Sequence, residues 1–228
     1  MDEQLIAKLS VDGMRPAHQR RTRALVLRLM QTGLELLRDR DFDSLSIEDL
    51  CDGAGTTVGS FYGRFESKKN FTDALQRLVV EETIQRMERD YASNRAPNDN
   101  LEHYLSWVTK GAAVWYGRHE GLVRASLRQA SREPQTWTPM LVLGQTQVRL
   151  ATPRIMAFVN NPRRAGIQEA VQFAFQMLHG TLNTMALINP GPFGINDSKT
   201  PRLLAAAMLR MIESKPVLSK RTIEKSLA

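Results

Sequence analysis

Ser46-Ile47-Glu48-Asp49-Leu50-Cys51-Asp52-Gly53-Ala54-Gly55-Thr56-Thr57-Val58-Gly59-Ser60-Phe61-Tyr62 is the stretch that decides the fold. Ser46, with Asp49 three residues on, has the form of an N-cap with a capping-box-like partner, which predicts a short helix from Ile47 to about Gly53. Gly53-Ala54-Gly55-Thr56 breaks it, because glycine tolerates the left-handed backbone that ends a helix. The segment from Thr57 to Gly63 is poor helical material, with two glycines and β-branched residues, so helix there must draw its stability from tertiary packing. Two short helices joined by a glycine turn describe a helix-turn-helix, whose second helix enters the major groove of DNA.

Upstream, Leu25, Leu29, Met30, Leu34, Leu36 and Leu37 recur at helical spacing and predict a first helix over about 17–40, closed by the turn residues Asp41-Phe42-Asp43-Ser44. Downstream, Phe65-Glu66-Ser67 resets the chain, and Ser67 is expected to cap a long helix, running to about Tyr91, whose buried stripe is Phe71, Leu75, Leu78 and Val79. Ser93 to Asn100 is a polar, proline-containing loop. Beyond it, helices are expected at about 101–117, 120–131, 138–160, 165–188 and 201–214, with a kink or break at Pro153. The prediction is therefore all-α. An N-terminal three-helix DNA-binding domain with a helix-turn-helix spans 15–66, and a C-terminal helical ligand-binding and dimerisation domain spans 67–215. Residues 1–14 and 216–228 are expected to be flexible tails.

Composition narrows the classes. A 42% hydrophobic, 24% charged chain of 228 residues can bury a real core. No apolar run approaches the roughly 18 residues that a membrane span needs, and Met1-Asp2-Glu3-Gln4 is acidic where a secretory signal is basic, so a cytoplasmic protein without membrane partners is expected. Cys51, the single cysteine, offers no disulfide and no thiolate cluster for a metal. The net charge of +7 is not in the N-terminal region: residues 1–75 hold 11 Lys and Arg against 12 Asp and Glu. Clustering is more informative, because Arg15, Arg20, Arg21, Arg23 and Arg28 meet no acid between Asp12 and Glu35. Taken alone, such a cluster is also compatible with a solvated helix face.

Leu34-Glu35-Leu36-Leu37, Phe42-Asp43, Ser46 to Leu50, Ala54 to Tyr62 and Phe65-Glu66-Ser67-Lys68, in this order and spacing, resemble the N-terminal signature of the TetR family of bacterial regulators over about 50 residues. The resemblance implies a ligand-responsive transcriptional regulator, a repressor, binding a (pseudo)palindromic operator in double-stranded DNA as a homodimer and released by a small, largely apolar effector. It also implies that Tyr62 and Lys68 contact phosphates. Thr56, Thr57, Val58, Gly59, Ser60 and Ser46 are the other candidate contacts of the helix-turn-helix: hydroxyls can donate to phosphate oxygens, and a valine methyl can touch a thymine methyl. Gly59 would let the recognition helix pack closely on the preceding one or let its backbone approach DNA, while Phe61 would point inward. Arg20, Arg21 and Arg23 would reach a minor groove or nearby phosphates. Asp41, Thr56 and Val58 depart from the family pattern, so the operator is not transferable.

In that family the C-terminal helices enclose an effector cavity and form the dimer interface. Candidate cavity residues are Trp107, Trp115, Phe173, Gln176, Met177, His179 and Asn183, with Val114, Leu122, Leu182 and Met185 as further apolar wall; the competing reading is ordinary core. Dimerisation follows from the need to present two recognition helices about 34 Å apart, and Ala170, Ala174, Gly180, Ala205, Ala206, Met208, Leu209 and Ile212 are the expected interface positions. No cofactor is called for. An enzyme is disfavoured, since no nucleophile elbow, phosphate loop or metal-binding histidine pair occurs and His18, His103, His119 and His179 are scattered. A helical small-ligand carrier or protein-interaction module without specific DNA binding is the alternative.

Overall fold

The structure, a computed structural model, describes residues 3–214. Its helices are α1 (Glu3–Lys8), α2 (Arg20–Leu36), α3 (Ile47–Gly53), α4 (Val58–Tyr62), α5 (Lys68–Ala92), α6 (Leu101–Arg118), α7 (Glu120–Ala130), α8 (Thr138–Phe158), α9 (Ile167–Ile188) and α10 (Thr200–Glu213), with a 3-10 turn at Pro134–Trp137. Among the described residues there is no strand, only an isolated bridge between Met14 and Phe65.

Side-chain caps set the helix starts. Ser46 accepts from the Asp49 amide at 3.0 Å, Thr57 from Ser60 at 3.2 Å, Ser67 from Asn70 at 3.1 Å and Asn100 from His103 at 2.8 Å, each satisfying an amide that the first turn leaves unpaired. Thr57 is the cap that the sequence reading missed, having placed the second short helix from Thr57 itself. The turn between α3 and α4 needs a left-handed residue, which Gly55 supplies at φ +60°.

Two apolar cores share the long helices. The first joins α2, α3, α4 and the first half of α5 around Leu29, Met30, Leu50, Phe61, Phe65, Phe71 and Leu75, and takes in Leu122 and Ala125 of α7 and Met140 and Leu143 of α8. The second joins α6, α9 and α10 around Tyr104, Leu105, Phe175, Leu178, Leu182, Met208 and Ile212. The N-terminal domain therefore does not end at residue 66 in packing terms, because α5, α7 and α8 belong to its core as well.

Several expectations change. The flexible tail at 1–14 does not hold for the described part: Leu5, Ile6 and Leu9 are buried, and Asp12 accepts a 2.7 Å hydrogen bond from Asn70. The tail at 216–228, with residue 215, lies outside the described residues. The first helix is shorter than predicted, because after Leu36 the chain tightens into turns through Asp39. Pro153 does not break α8, which runs on to Phe158. Ala174, Ala205, Met208 and Ile212, expected at a dimer interface, are instead packed inside the chain's own second core.

Candidate DNA interface and effector cavity

The recognition element is built around one inward residue. Phe61 is fully buried, its ring 5.4 Å from Phe65 and 5.6 Å from Phe71, and burying it contributes roughly 2 to 3 kcal/mol. With Phe61 fixed, helical geometry turns Thr57, Val58, Gly59 and Tyr62 outward; Val58 is 38% and Tyr62 48% exposed, a high value for large apolar side chains. Ser60 is half-buried, its hydroxyl 3.0 Å from that of Thr57, and Thr56 is half-buried in the turn. A Cβ on Gly59 would meet only the Thr57 hydroxyl, at 3.9 Å. Close packing on α3 is thus not the reason for glycine, which leaves open approach from outside.

Ser46 and Lys68 flank this face. The Lys68 ammonium donates to the Asp43 carbonyl at 2.8 Å, and the Ser46 hydroxyl is committed to its cap as an acceptor. Of the three arm arginines, Arg20 and Arg21 are exposed, whereas Arg23 is half-buried, donating to the His18 carbonyl and lying 3.8 Å from the Glu3 carboxylate. Arg23 is therefore tied to the N-terminal segment, unlike its neighbours. Arg28 donates to the Ala54 carbonyl at 3.0 Å and holds the turn onto α2.

A second contact zone links this domain to the rest. Arg124 donates to the Leu37 carbonyl at 3.2 Å and the Arg38 carbonyl at 2.7 Å, satisfying acceptors beyond the end of α2; Arg128 pairs with Asp41, and Arg132 with Asp43 at 2.6 Å. Asp41, unusual for the family signature, thus has a partner, and its backbone is not left-handed. Gly121 makes the approach possible, because a Cβ there would stand 1.9 Å from the Leu37 carbonyl oxygen. Sequence reasoning missed these arginines, though the spacing of four between Arg124 and Arg128 on one helix face was a readable signal.

Between α5, α6, α8 and α9 lies a cavity of about 670 Å³. Of the candidate effector residues, Trp107, Trp115, Gln176, His179 and Asn183 line it, as does Val114. Phe173 and Met177 do not: with Met185 they line a shallower groove of about 570 Å³ on the outer side of α9, and Phe173 is 57% exposed. Leu122 and Leu182 are core residues. Inside the cavity, polar groups satisfy one another. His179 Nε2 lies 2.8 Å from Gln147 Oε1, Gln147 donates to the Tyr91 hydroxyl at 3.2 Å, Tyr116 donates to Asn183 at 2.9 Å, and Trp115 donates to Thr83 at 2.8 Å. Burial pushes His179 down to about 4 and raises the Tyr91 and Tyr116 phenols well above their usual range, so all three are neutral near pH 7. Tyr91 and Gln147 were not singled out by sequence reasoning, since nothing local marks them as neighbours of His179.

With this geometry in view, comparison with known proteins is specific. Residues 29–75 match the sequence profile of the bacterial regulatory proteins of the tetR family. No curated protein matches the chain in sequence. A putative TetR-family regulator from Mesorhizobium loti superposes with a TM-score of 0.66 at 14% identity, covering 86% of this chain and 98% of that one. A TetR-family regulator from Streptomyces coelicolor gives 0.61 at 16% identity, covering 82% and 79%. FadR from Bacillus subtilis, solved in complex with stearoyl-CoA, gives 0.54 at 16% identity, covering 82% and 97%. The helix-turn-helix region is thus similar to that family's N-terminal domain over residues 29–75, and the chain has the TetR-like fold, a helix-turn-helix domain followed by a helical C-terminal one.

Proposed function

We propose that this protein is a ligand-responsive transcriptional regulator, a repressor, which binds a two-fold symmetric operator in the cytoplasm as a homodimer and is released by a small, largely apolar effector. The observation that carries the reading is the outward face of Val58–Tyr62, uncharged and exposed, on a helix locked in place by buried Phe61. Such a face suits methyl and hydroxyl contacts with base edges, while Lys68, Tyr62, Ser46, Arg20 and Arg21 suit the flanking backbone.

The cavity supports the second half of the proposal. It is walled mainly by aromatic and aliphatic side chains, with a few polar groups in fixed orientation, as small-molecule sites are. Its walls reach the DNA-binding domain by two routes: α5 runs from Lys68 through Thr83, Met87 and Tyr91, and α7 carries Val123 in the wall and Arg124 and Arg128 at the α2 end. An occupant that moved either helix would change the placement of α4, biasing two arrangements of unequal operator affinity.

The dimer reading rests on α9 and α10, whose outer sides leave Phe173, Ile188 and Leu203 exposed. Selection of genomic fragments by the purified protein, repeated with candidate metabolites, tests the whole proposal. A symmetric site retained at low salt and released by one compound is expected; absence of any retained site would turn the reading towards a ligand carrier.

A further inference from the structure

The cavity has a neutral interior and a charged mouth. Its interior hydrogen-bonding groups are largely committed to one another, through the Tyr91–Gln147–His179 chain and the Tyr116–Asn183 pair. An ion placed there would lose its water with no counter-charge to replace it, which is among the largest penalties in a protein interior. A charged group on the occupant must therefore stay at the opening.

The opening carries Arg86 on α5 and Arg118 at the end of α6, both exposed and both lining the cavity. Both lie near His119, whose proton affinity is lowered chiefly by burial and further by these two charges, against Glu82, which raises it. Among the described residues, neither guanidinium has a hydrogen bond or an ion pair. Asp90, the single acid in the lining, already faces Arg95 at 3.4 Å. Two guanidiniums lining an apolar chamber supply donors suited to a carboxylate, sulfonate or phosphate.

We infer that the effector is an amphipathic anion, its apolar body in the chamber among Trp107, Trp115 and Phe175 and its single anionic group at the mouth between Arg86 and Arg118. The inference rests on the effector-cavity reading above and adds the ligand's charge and orientation. The three tryptophans of the chain, Trp107, Trp115 and Trp137, all line the cavity, so tryptophan emission reports on this chamber.

Two dyes with one skeleton separate charge from shape: 1-anilinonaphthalene-8-sulfonate and its uncharged parent N-phenyl-1-naphthylamine. Each is titrated into the full-length protein with tryptophan-to-dye energy transfer as the readout, and into the Arg86→Gln, Arg118→Gln double variant. The sulfonate is expected to lose about tenfold or more in affinity in the variant, and with added salt, while the neutral dye changes less than about threefold in both. Retained binding of the neutral dye shows that the variant folds. Equal losses for both dyes, or no loss for the sulfonate, would overturn the ligand class and leave the cavity reading intact. Failure of both dyes to take energy from the tryptophans of the parent protein would overturn the cavity reading, and the ligand class with it.

Discussion

Lys68 has two possible partners. Its ammonium donates to the Asp43 carbonyl, and in the proposed complex it would exchange that neutral acceptor for a phosphate at the start of α5. Lys68→Ala and Tyr62→Ala are each expected to weaken operator binding by about 1 to 3 kcal/mol without affecting dimerisation; titrations that match the parent would refute the contact assignments. His179 gives a pH-dependent test. Burial lowers its proton affinity to about 4, so between roughly 6.5 and 4 the unfolded chain holds more protons at this site than the folded one. Its contribution is fully present above the unfolded value and is lost as pH falls towards 4. Thermal unfolding from pH 7 to 4.5 should show the parent losing stability more steeply than His179→Gln; identical slopes would contradict the burial argument. His119, shifted down chiefly by burial, retains part of the slope in that variant. At this scale the sequence was partly legible. Phe61 could be assigned inward from its place in the motif, but whether Asp41 was tolerated or used could not, because its partner Arg128 lies 87 residues away.

At the scale of elements, caps and breakers are local, which is why α3, α5 and α6 could be placed within about a turn. The short helix α1 could not, because its six residues gain their order from Leu5 and Ile6 packing against the first core. Helix α9 shows a different failure. It is apolar nearly all round, so its period was readable but its phase was not: Phe175, Gln176 and His179 face the cavity, while Phe173 and Met177 face outward. The junction of α7 and α2 makes a prediction of its own. Gly121→Val would drive side-chain atoms into the Leu37 carbonyl, and it is expected to cost about 1 to 3 kcal/mol in stability and to reduce effector-induced release at equal effector occupancy. Normal release in that variant would remove α7 from the route between cavity and operator. Arg128→Ala, which breaks a partly exposed pair, should change stability by about 1 kcal/mol or less.

The whole molecule is two cores sharing helices, and under the proposed function this sharing would let an occupant of the cavity reposition the DNA-binding part. Small residues on α9 and α10 suggested an interface in the sequence; Ala174 and Ala205 instead pack within the chain, and the exposed apolar side chains nearby carry the dimer reading. Phe173→Glu combined with Leu203→Glu is expected to convert dimer to monomer in sedimentation, with helical content kept; an unchanged dimer would place the interface elsewhere. The central claim, that α4 offers its outer face to DNA, is tested most directly at Gly59. A Cβ there meets almost nothing in the protein, and replacing a helical glycine stabilises by up to about 1 kcal/mol, so Gly59→Glu should fold at least as well as the parent. The measurement is operator affinity of Gly59→Glu beside its melting temperature. A loss of about a hundredfold or more with the melting temperature kept or raised is the expected result, and operator binding equal to the parent's would contradict the account.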